Sequence, residues 1–213
     1  MAVDVREPLA GDARVVTTGD GTRIHTVSAG DGPVAVLAHG FAISSDEWNV
    51  VADDLVGRGY RVIAFDQRGH GRTTIGSDGI GSKQMAGDYA AVLEAYDVAD
   101  AVLVMHSMGG FVGIRFLVEN PDVVAQRLRG AMLVATFAGD VSRDNPQNKL
   151  QIPLIRSGVL PRLVSSDLAG KPFARSLMGD GKTDAMAESF LTMFRAQKLG
   201  PLVPILEAMV QEN

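Results

Sequence analysis

The chain has 213 residues, of which 46% are hydrophobic and 21% are charged, and it contains no cysteine. This composition is typical of a soluble globular protein and excludes a disulfide framework or a thiolate metal site. The net charge of −5 gives no indication of a nucleic-acid-binding surface. The length predicts one α/β domain, with room for an inserted subdomain.

The first eight residues mix charged and apolar side chains and lack the continuous apolar region of a signal peptide. No apolar run in the sequence is long enough to cross a bilayer. We therefore expect no transmembrane segment, no nucleic-acid partner and a cytoplasmic location.

Strand-like and helix-like patterns alternate over the first 140 residues. The predicted strands are 13–18, 22–28, 34–39, 61–66, 101–106 and 130–137. Gly19-Asp20-Gly21 predicts a hairpin between the first two strands. Helical spacing of apolar side chains appears near 48–59, over 82–96 and from the end of the fifth strand to Asn120. This alternation predicts a mostly parallel sheet flanked by helices.

Residues 141–213 show a different pattern, with several prolines and no convincing strand. Short amphipathic helices are predicted at 149–155, 184–197 and 201–211. We interpret residues 1–140 as an α/β core and residues 141–213 as a helical cap. The alternative is that these helices are ordinary surface helices that complete the domain.

One apolar run, Val102–Met105, leads directly into His106-Ser107-Met108-Gly109-Gly110. This order indicates a nucleophile elbow, a sharp strand-to-helix turn that exposes a serine hydroxyl at the sheet edge. The crowded turn favours small neighbours, yet Met105 occupies the first glycine position of G-x-S-x-G. Either the turn is slightly relaxed or the methionine side chain fills a gap.

Two more glycine-bearing turns follow predicted strands, His39-Gly40-Phe41 and Asp66-Gln67-Arg68-Gly69-His70-Gly71. Together with the elbow, and in this order, they resemble an α/β-hydrolase-fold serine hydrolase of the esterase and lipase type. The resemblance implies an α/β fold with a mostly parallel sheet and a helical cap after the sixth strand. It also implies that the last two strands of such a sheet are absent from this sequence.

The resemblance further implies that Ser107 is the nucleophile and that the backbone N–H groups of Phe41 and Met108 form the oxyanion hole. In the family an acid and then a histidine follow the serine. Asp140, just past the sixth predicted strand, is the candidate acid. The alternative is that Asp140 only caps the first turn of the next segment.

All four histidines precede Ser107. His39 and His70 resemble structural histidines of the family, and His25 is predicted to be a surface residue. His106 directly precedes the serine, so we expect its side chain to point away from the hydroxyl. The catalytic histidine is therefore expected from a missing C-terminal segment or a second chain, and the sixth strand is expected to be an exposed apolar edge.

These observations predict a serine hydrolase that acts on a small, apolar carboxylic ester, such as a monoacylglycerol-type lipid. The candidate substrate-binding residues are Phe41, Trp48, Leu154, Leu160, Phe190 and Phe194. Residues 40–48 resemble esterases and cofactor-free haloperoxidases of this fold, so perhydrolysis is an alternative activity. Carbon–carbon bond hydrolysis and non-catalytic ligand binding also stay open.

Serine at the elbow, where some relatives have aspartate, disfavours epoxide hydrolases and haloalkane dehalogenases. No metal is expected, because the histidines lack paired ligand spacing and cysteine is absent. No cofactor is expected either, because the family needs none.

Overall fold

The computed structural model describes residues 7–140 and 148–212. Its strands are β1 (Asp12–Thr17), β2 (Arg23–Ala29), β3 (Val34–Ala38), β4 (Arg61–Phe65), β5 (Ala101–His106) and β6 (Leu128–Val134). They form one sheet in the order β1-β2-β4-β3-β5-β6. β2 is antiparallel to both β1 and β4, whereas β3, β4, β5 and β6 run parallel. The predicted mostly parallel sheet is confirmed, and the predicted strand bounds differ by at most three residues.

Four helices flank the sheet: α1 (Asn49–Gly57), α2 (Ser82–Ala95), α3 (Met108–Glu119) and α4 (Pro121–Arg127). A 3-10 turn, Ser45–Trp48, precedes α1. The helix α4 was not predicted from the sequence. Pro121 stands in its first turn, where the missing N–H of proline leaves no helical hydrogen bond unmade.

The central strands β3, β4 and β5 are apolar because helices cover both faces of a parallel sheet. β6 differs, since within the described residues it pairs only with β5 and lies at the sheet edge. Met132 is 55% exposed and Leu133 is 47% exposed. The expected exposed apolar edge is therefore present in the structure.

Within residues 148–212, five helices follow β6: α5 (Asn148–Arg156), α6 (Val159–Ser165), α7 (Asp167–Ser176), α8 (Asp184–Ala196) and α9 (Val203–Gln211). With the 3-10 turn Gly200–Leu202 they make up what we call the C-terminal helical segment, residues 148–212. The three helices predicted here are confirmed, whereas α6 and α7 were missed. Residues 1–6, 141–147 and 213 of the predicted core and cap lie outside the described residues, and the interpretation as a cap stays a prediction.

The C-terminal helical segment shares one hydrophobic core with the sheet. Leu160 and Val164 from α6, and Ile205 and Leu206 from α9, belong to the same buried cluster as Leu103. None of the helices in residues 7–140 and 148–212 is both long and apolar enough to span a membrane.

Candidate active site

Ser107 stands in the turn between β5 and α3 with φ 50° and ψ −117°. This left-handed backbone is strained for a residue with a side chain, at a cost of about 1–3 kcal/mol. Hydrogen bonds hold the turn in place. The Ser107 N–H donates to the Val134 carbonyl at 3.0 Å, and the Thr136 hydroxyl donates to the Ser107 carbonyl at 2.6 Å. The predicted elbow geometry is present.

Gly109 and Gly110 allow the first turn of α3 to pack closely against the end of β3 and against Thr136. A Cβ on Gly109 would lie 2.8 Å from the carbonyl oxygens of Ala38 and His39. A Cβ on Gly110 would overlap the Thr136 side chain. Both positions therefore require glycine for close packing.

Met105 does not displace the elbow. Its side chain is fully buried, and its sulfur occupies the space where a Cβ on Gly113 would lie. Of the two interpretations of Met105, filling a gap is therefore the one that the structure supports. Gly113, one helical turn beyond Gly109, is the residue that leaves this gap.

The loop after β3 approaches the serine through Gly40. A Cβ on Gly40 would lie 3.4 Å from the Ser107 Cβ and 3.1 Å from the His106 Nδ1. Phe41 follows this glycine, and Met108 is the first residue of α3, where a helix N–H has no intrahelical acceptor. Ser107, Phe41 and Met108 thus meet at the carboxyl end of β3 and β5.

His39 holds the loop after β3 in place through two hydrogen bonds. Its Nε2 accepts a hydrogen bond from the Gln67 N–H at 2.9 Å, so its Nδ1 donates to the Gly40 carbonyl at 2.7 Å. Burial lowers the pKa of His39, which keeps the ring neutral. The Tyr89 hydroxyl donates to the Gly109 carbonyl at 2.8 Å and joins the elbow to the same buried network.

Asp66, at the end of β4, anchors the 3-10 turn Ser45–Trp48. Its Oδ1 accepts from both the N–H and the hydroxyl of Ser45 at 2.8 Å, and its Oδ2 accepts from the Arg72 N–H at 2.9 Å. Burial acts to raise the pKa of Asp66, but the His25 side chain and these backbone donors outweigh it and hold the pKa well below its usual range.

The prediction that His25 is a surface residue was wrong. Its side chain is only 13% exposed, and its Nδ1 lies 3.5 Å from the Asp66 Oδ2. His70 is fully buried, with Nδ1 3.0 Å from the Arg68 carbonyl oxygen. Burial lowers the pKa of His70 to about 3, so this histidine is neutral near pH 7. His25, His39 and His70 therefore contact groups of the loops that follow β3 and β4.

A cavity of about 790 Å³ opens beside Ser107. This volume suits a small organic ligand. On the sheet side it is lined by Gly40, Phe41, Glu47, His106 and Ser107. On the helix side it is lined chiefly by Phe173, Met186, Phe190, Met193, Phe194 and Met209. The C-terminal helical segment therefore forms one whole wall of the space that the serine faces.

Three predicted substrate-binding residues, Phe41, Phe190 and Phe194, line this cavity. Trp48, Leu154 and Leu160 do not, and we withdraw them as candidates. Trp48 and Leu160 are buried in hydrophobic clusters, and Leu154 is 38% exposed. Apolar character alone did not distinguish a cavity wall from core packing or from surface.

Asp140 is half-buried and is not among the residues that line the cavity. The assignment of Asp140 as the acid stays a prediction. Within the described residues, the Ser107 hydroxyl makes no hydrogen bond to an imidazole. The described residues also contain no cluster of three side chains suited to hold a metal ion.

His106 lines the same cavity as Ser107, and its ring contacts Glu47 and Trp48. The expectation that it points away from the Ser107 hydroxyl stays a prediction. Side chains alternate across a regular strand, and His106 lies on the same face of β5 as Val104, whose cluster includes Trp48. The His106 Nδ1 lies 2.5 Å from the Glu47 Oε1 in an ion pair whose angles are not those of an aligned hydrogen bond. Burial acts to lower the pKa of His106, but the Glu47 carboxylate outweighs it and raises the pKa.

Sequence reasoning missed Glu47 and most of the helical wall. Met186, Phe190 and Met193 are spaced i, i+4 and i+7 on α8, a pattern that could have identified one common face. Glu47 carries no such signal, because only the fold brings it next to His106.

Comparison with known proteins agrees with this architecture. A family model described as the alpha/beta hydrolase family matches residues 35–209. The chain belongs to the alpha/beta hydrolase family. An esterase from Exiguobacterium antarcticum superimposes with a TM-score of 0.82 at 19% identity, covering 95% of this chain and 75% of the esterase. At this identity the likeness shows the fold alone.

Two characterised relatives are closer in sequence over shorter segments. A non-heme chloroperoxidase from Burkholderia pyrrocinia is 41% identical over 122 residues, which are 56% of this chain and 44% of the relative. A bifunctional esterase/perhydrolase from Acinetobacter calcoaceticus is 44% identical over 109 residues, or 50% of this chain and 40% of the relative. The matched segments thus span less than half of each relative.

Proposed function

We propose that Ser107 is the nucleophile of a serine hydrolase that cleaves carboxylic esters with neutral, apolar acyl groups, such as monoacylglycerol-type lipids. The observation that carries the proposal is the elbow itself. Ser107 is held in a strained turn that faces an apolar cavity, beside the loop of Phe41 and the first residue of α3. A strained serine at a cavity edge is typical of nucleophilic catalysis.

In this mechanism the Ser107 oxygen attacks the ester carbonyl carbon, and the carbonyl electron pair moves onto oxygen. The N–H groups of Phe41 and Met108 stabilise that oxyanion, and each donor is worth about 3–4 kcal/mol by analogy with other acyl-transfer enzymes. Collapse expels the alcohol, which takes up the serine proton from a general base. Water then hydrolyses the acyl-enzyme. We propose that the base is a histidine outside these 213 residues.

The cavity wall supports the choice of acyl group. In residues 7–140 and 148–212, no lysine or arginine lines the cavity, and the Glu47 carboxylate there is paired with His106. An acyl chain that carries its own carboxylate would lose hydration without gaining a cationic partner. A neutral alkyl or aromatic chain instead gains contact with phenylalanine and methionine side chains.

Perhydrolysis is a second candidate, and the names of the relatives favour it. The same acyl-enzyme would react with hydrogen peroxide in place of water and release a peracid and free serine. This step uses Ser107 and the same oxyanion hole. It is tested by assaying peracid after adding hydrogen peroxide to an enzyme that hydrolyses the corresponding ester.

The primary experiment uses the protein together with the segment or second chain that supplies the base, and it compares wild type with Ser107→Ala by a fluorophosphonate probe and a panel of p-nitrophenyl esters. We expect the substitution to abolish both labelling and hydrolysis. Ser165→Ala, at an exposed serine of α6, is the matched control and should behave as wild type. Labelling or turnover that survives in Ser107→Ala would refute the assignment of the nucleophile. With the base supplied, a wild-type protein that binds apolar esters but is neither labelled nor active would indicate a non-catalytic ligand-binding protein. Turnover of carbon–carbon substrates alone would indicate the other hydrolase class.

A further inference from the structure

The Glu47 carboxylate contacts both sides of the candidate oxyanion hole. Its Oε2 accepts a hydrogen bond from the Gly40 N–H at 3.1 Å, and its Oε1 lies 2.5 Å from the His106 Nδ1. Gly40 directly precedes Phe41, and His106 directly precedes Ser107. One side chain thus joins the loop after β3 to the elbow after β5.

Glu47 is held in place rather than free to move. It lies in the 3-10 turn Ser45–Trp48, its own N–H donates to the Ser44 carbonyl at 3.1 Å, and Asp66 anchors Ser45. The Glu47 side chain is 18% exposed. A fixed, mostly buried carboxylate can determine the position of the backbone it binds.

The same carboxylate creates an electrostatic problem. The tetrahedral intermediate on Ser107 carries a negative oxygen, and a second negative charge beside it is strongly unfavourable in a site of low dielectric. His39 does not compensate, because burial keeps it neutral. His106 faces Glu47 directly, packs edge-on against the Trp48 ring at 6.4 Å, and has a raised pKa that favours its cationic form.

We propose that Glu47 and His106 are a positioning pair for the oxyanion hole. Glu47 fixes the loop that presents the Phe41 N–H, and His106 neutralises the carboxylate that does so. This inference rests on the proposed function, because the hole has this role only if Ser107 is the nucleophile.

The pair predicts an unusual order of effects. His106→Ala leaves an uncompensated carboxylate beside the oxyanion, so it should be more harmful than Glu47→Gln. In Glu47→Gln the amide oxygen still accepts from the Gly40 N–H, while the charge is gone. The double variant should therefore be close to Glu47→Gln, recovering most of the loss caused by His106→Ala. A merely structural role predicts instead that the two losses add.

The test uses the protein together with the segment or second chain that supplies the base, and it measures the affinity of each variant for n-butylboronic acid by isothermal titration calorimetry. The Ser107 oxygen adds to boron to give a tetrahedral anion, and the hydroxyl proton passes to the base. We expect His106→Ala to weaken binding roughly 10-fold or more, and Glu47→Gln roughly threefold, as removal of a charge partner and of a charge-assisted hydrogen bond predict. Ser107→Ala should not bind. Glu119→Gln changes the net charge equally at the exposed Arg115 pair and should match wild type.

Each outcome decides the proposal. Additive losses, no loss in His106→Ala, or a wild-type chain that does not bind the boronate would overturn it. If His106→Ala fails to fold, His106→Asn provides the same comparison, since it also lacks the charge. Ester turnover is measured in parallel. Wild-type turnover without the expected order refutes the pair alone, whereas the expected order without turnover refutes the proposed hydrolase activity and retains the pair.

Discussion

The two walls of the Ser107 cavity are built in different ways. The sheet-side wall rests on buried polar groups, among them His39, Glu47 and Asp66, whose hydrogen bonds fix backbone positions. The helix-side wall consists of apolar rings and thioethers, with Phe190 stacked on Phe194 at 5.5 Å. The first wall positions reacting groups, and the second determines the shape of the space.

The difference follows from the forces involved. Buried hydrogen bonds are directional, and a missing partner leaves a costly unsatisfied group. Contacts between phenylalanine and methionine side chains are non-directional, and methionine adapts readily to irregular gaps. Substitutions in the sheet-side wall should therefore damage stability and chemistry, whereas substitutions in the helix-side wall should change selectivity.

The largest effect on stability is expected from a substitution of Asp66, in the sheet-side wall. Asp66→Ala leaves the donors of Ser45 and Arg72 without their carboxylate, and we expect a loss of about 3–5 kcal/mol in the free energy of unfolding. Urea denaturation measures it. Asp54→Ala, at an exposed ion pair with Arg58, is the control and should change stability by about 0.5 kcal/mol or less. A loss at Asp66 as small as that of the control would contradict the anchoring role.

The packing beneath the elbow should respond next. Gly113→Ala places a methyl group where the Met105 sulfur lies, and overpacking of this kind costs about 1–3 kcal/mol. Adding Met105→Ala should relieve part of that cost, so the double variant should lose less stability than the sum of the two single variants. Urea denaturation of all four proteins gives the coupling energy.

Gly87→Ala is the matched control for this cycle. Gly87 is an exposed glycine of α2 with open space around the position of a Cβ. Alanine there should be neutral or stabilising by up to about 1 kcal/mol. Strict additivity between Met105→Ala and Gly113→Ala would show that the two residues do not share one space.

Buried His70 makes the stability of the folded chain depend on pH. His70 has a pKa of about 3 in the folded chain, whereas an unfolded histidine titrates near 6.5. Between these two pKa values the unfolded chain binds more protons than the folded chain. The contribution of neutral His70 to the free energy of unfolding is therefore fully present above pH 6.5 and is lost as the pH falls toward 3. The slope for one such group approaches about 1.4 kcal/mol per pH unit. Unfolding measured from pH 7 to 4.5 should show a shallower slope in His70→Gln, and identical slopes would exclude this contribution.

A substitution in the helix-side wall is expected to have the smallest effect on stability and the clearest effect on substrate selectivity. Phe190→Ala enlarges the cavity, so the ratio of p-nitrophenyl octanoate to butyrate hydrolysis should rise by up to about 10-fold. Leu168→Ala, at a side chain that is 90% exposed, should leave this ratio unchanged. An unchanged ratio in Phe190→Ala would mean that the acyl chain does not reach α8.

The sequence alone determined the features that depend on local patterns. Apolar runs identified β3, β4 and β5, and the residues around Ser107 identified the elbow, because the steric demands of a tight strand-to-helix turn act within a few neighbouring residues. The exposed edge at β6 also followed from the sequence of elements.

Only the tertiary structure decided which side chains meet. It placed His106 in the cavity and against Glu47, moved Trp48, Leu154 and Leu160 out of the candidate wall, and matched Met105 to Gly113. The physical reason is that burial and charge pairing act between residues far apart in the chain. The identity of an apolar or charged residue does not show whether its side chain faces the core, the solvent or a cavity. Only the packing of the folded chain distinguishes these three environments.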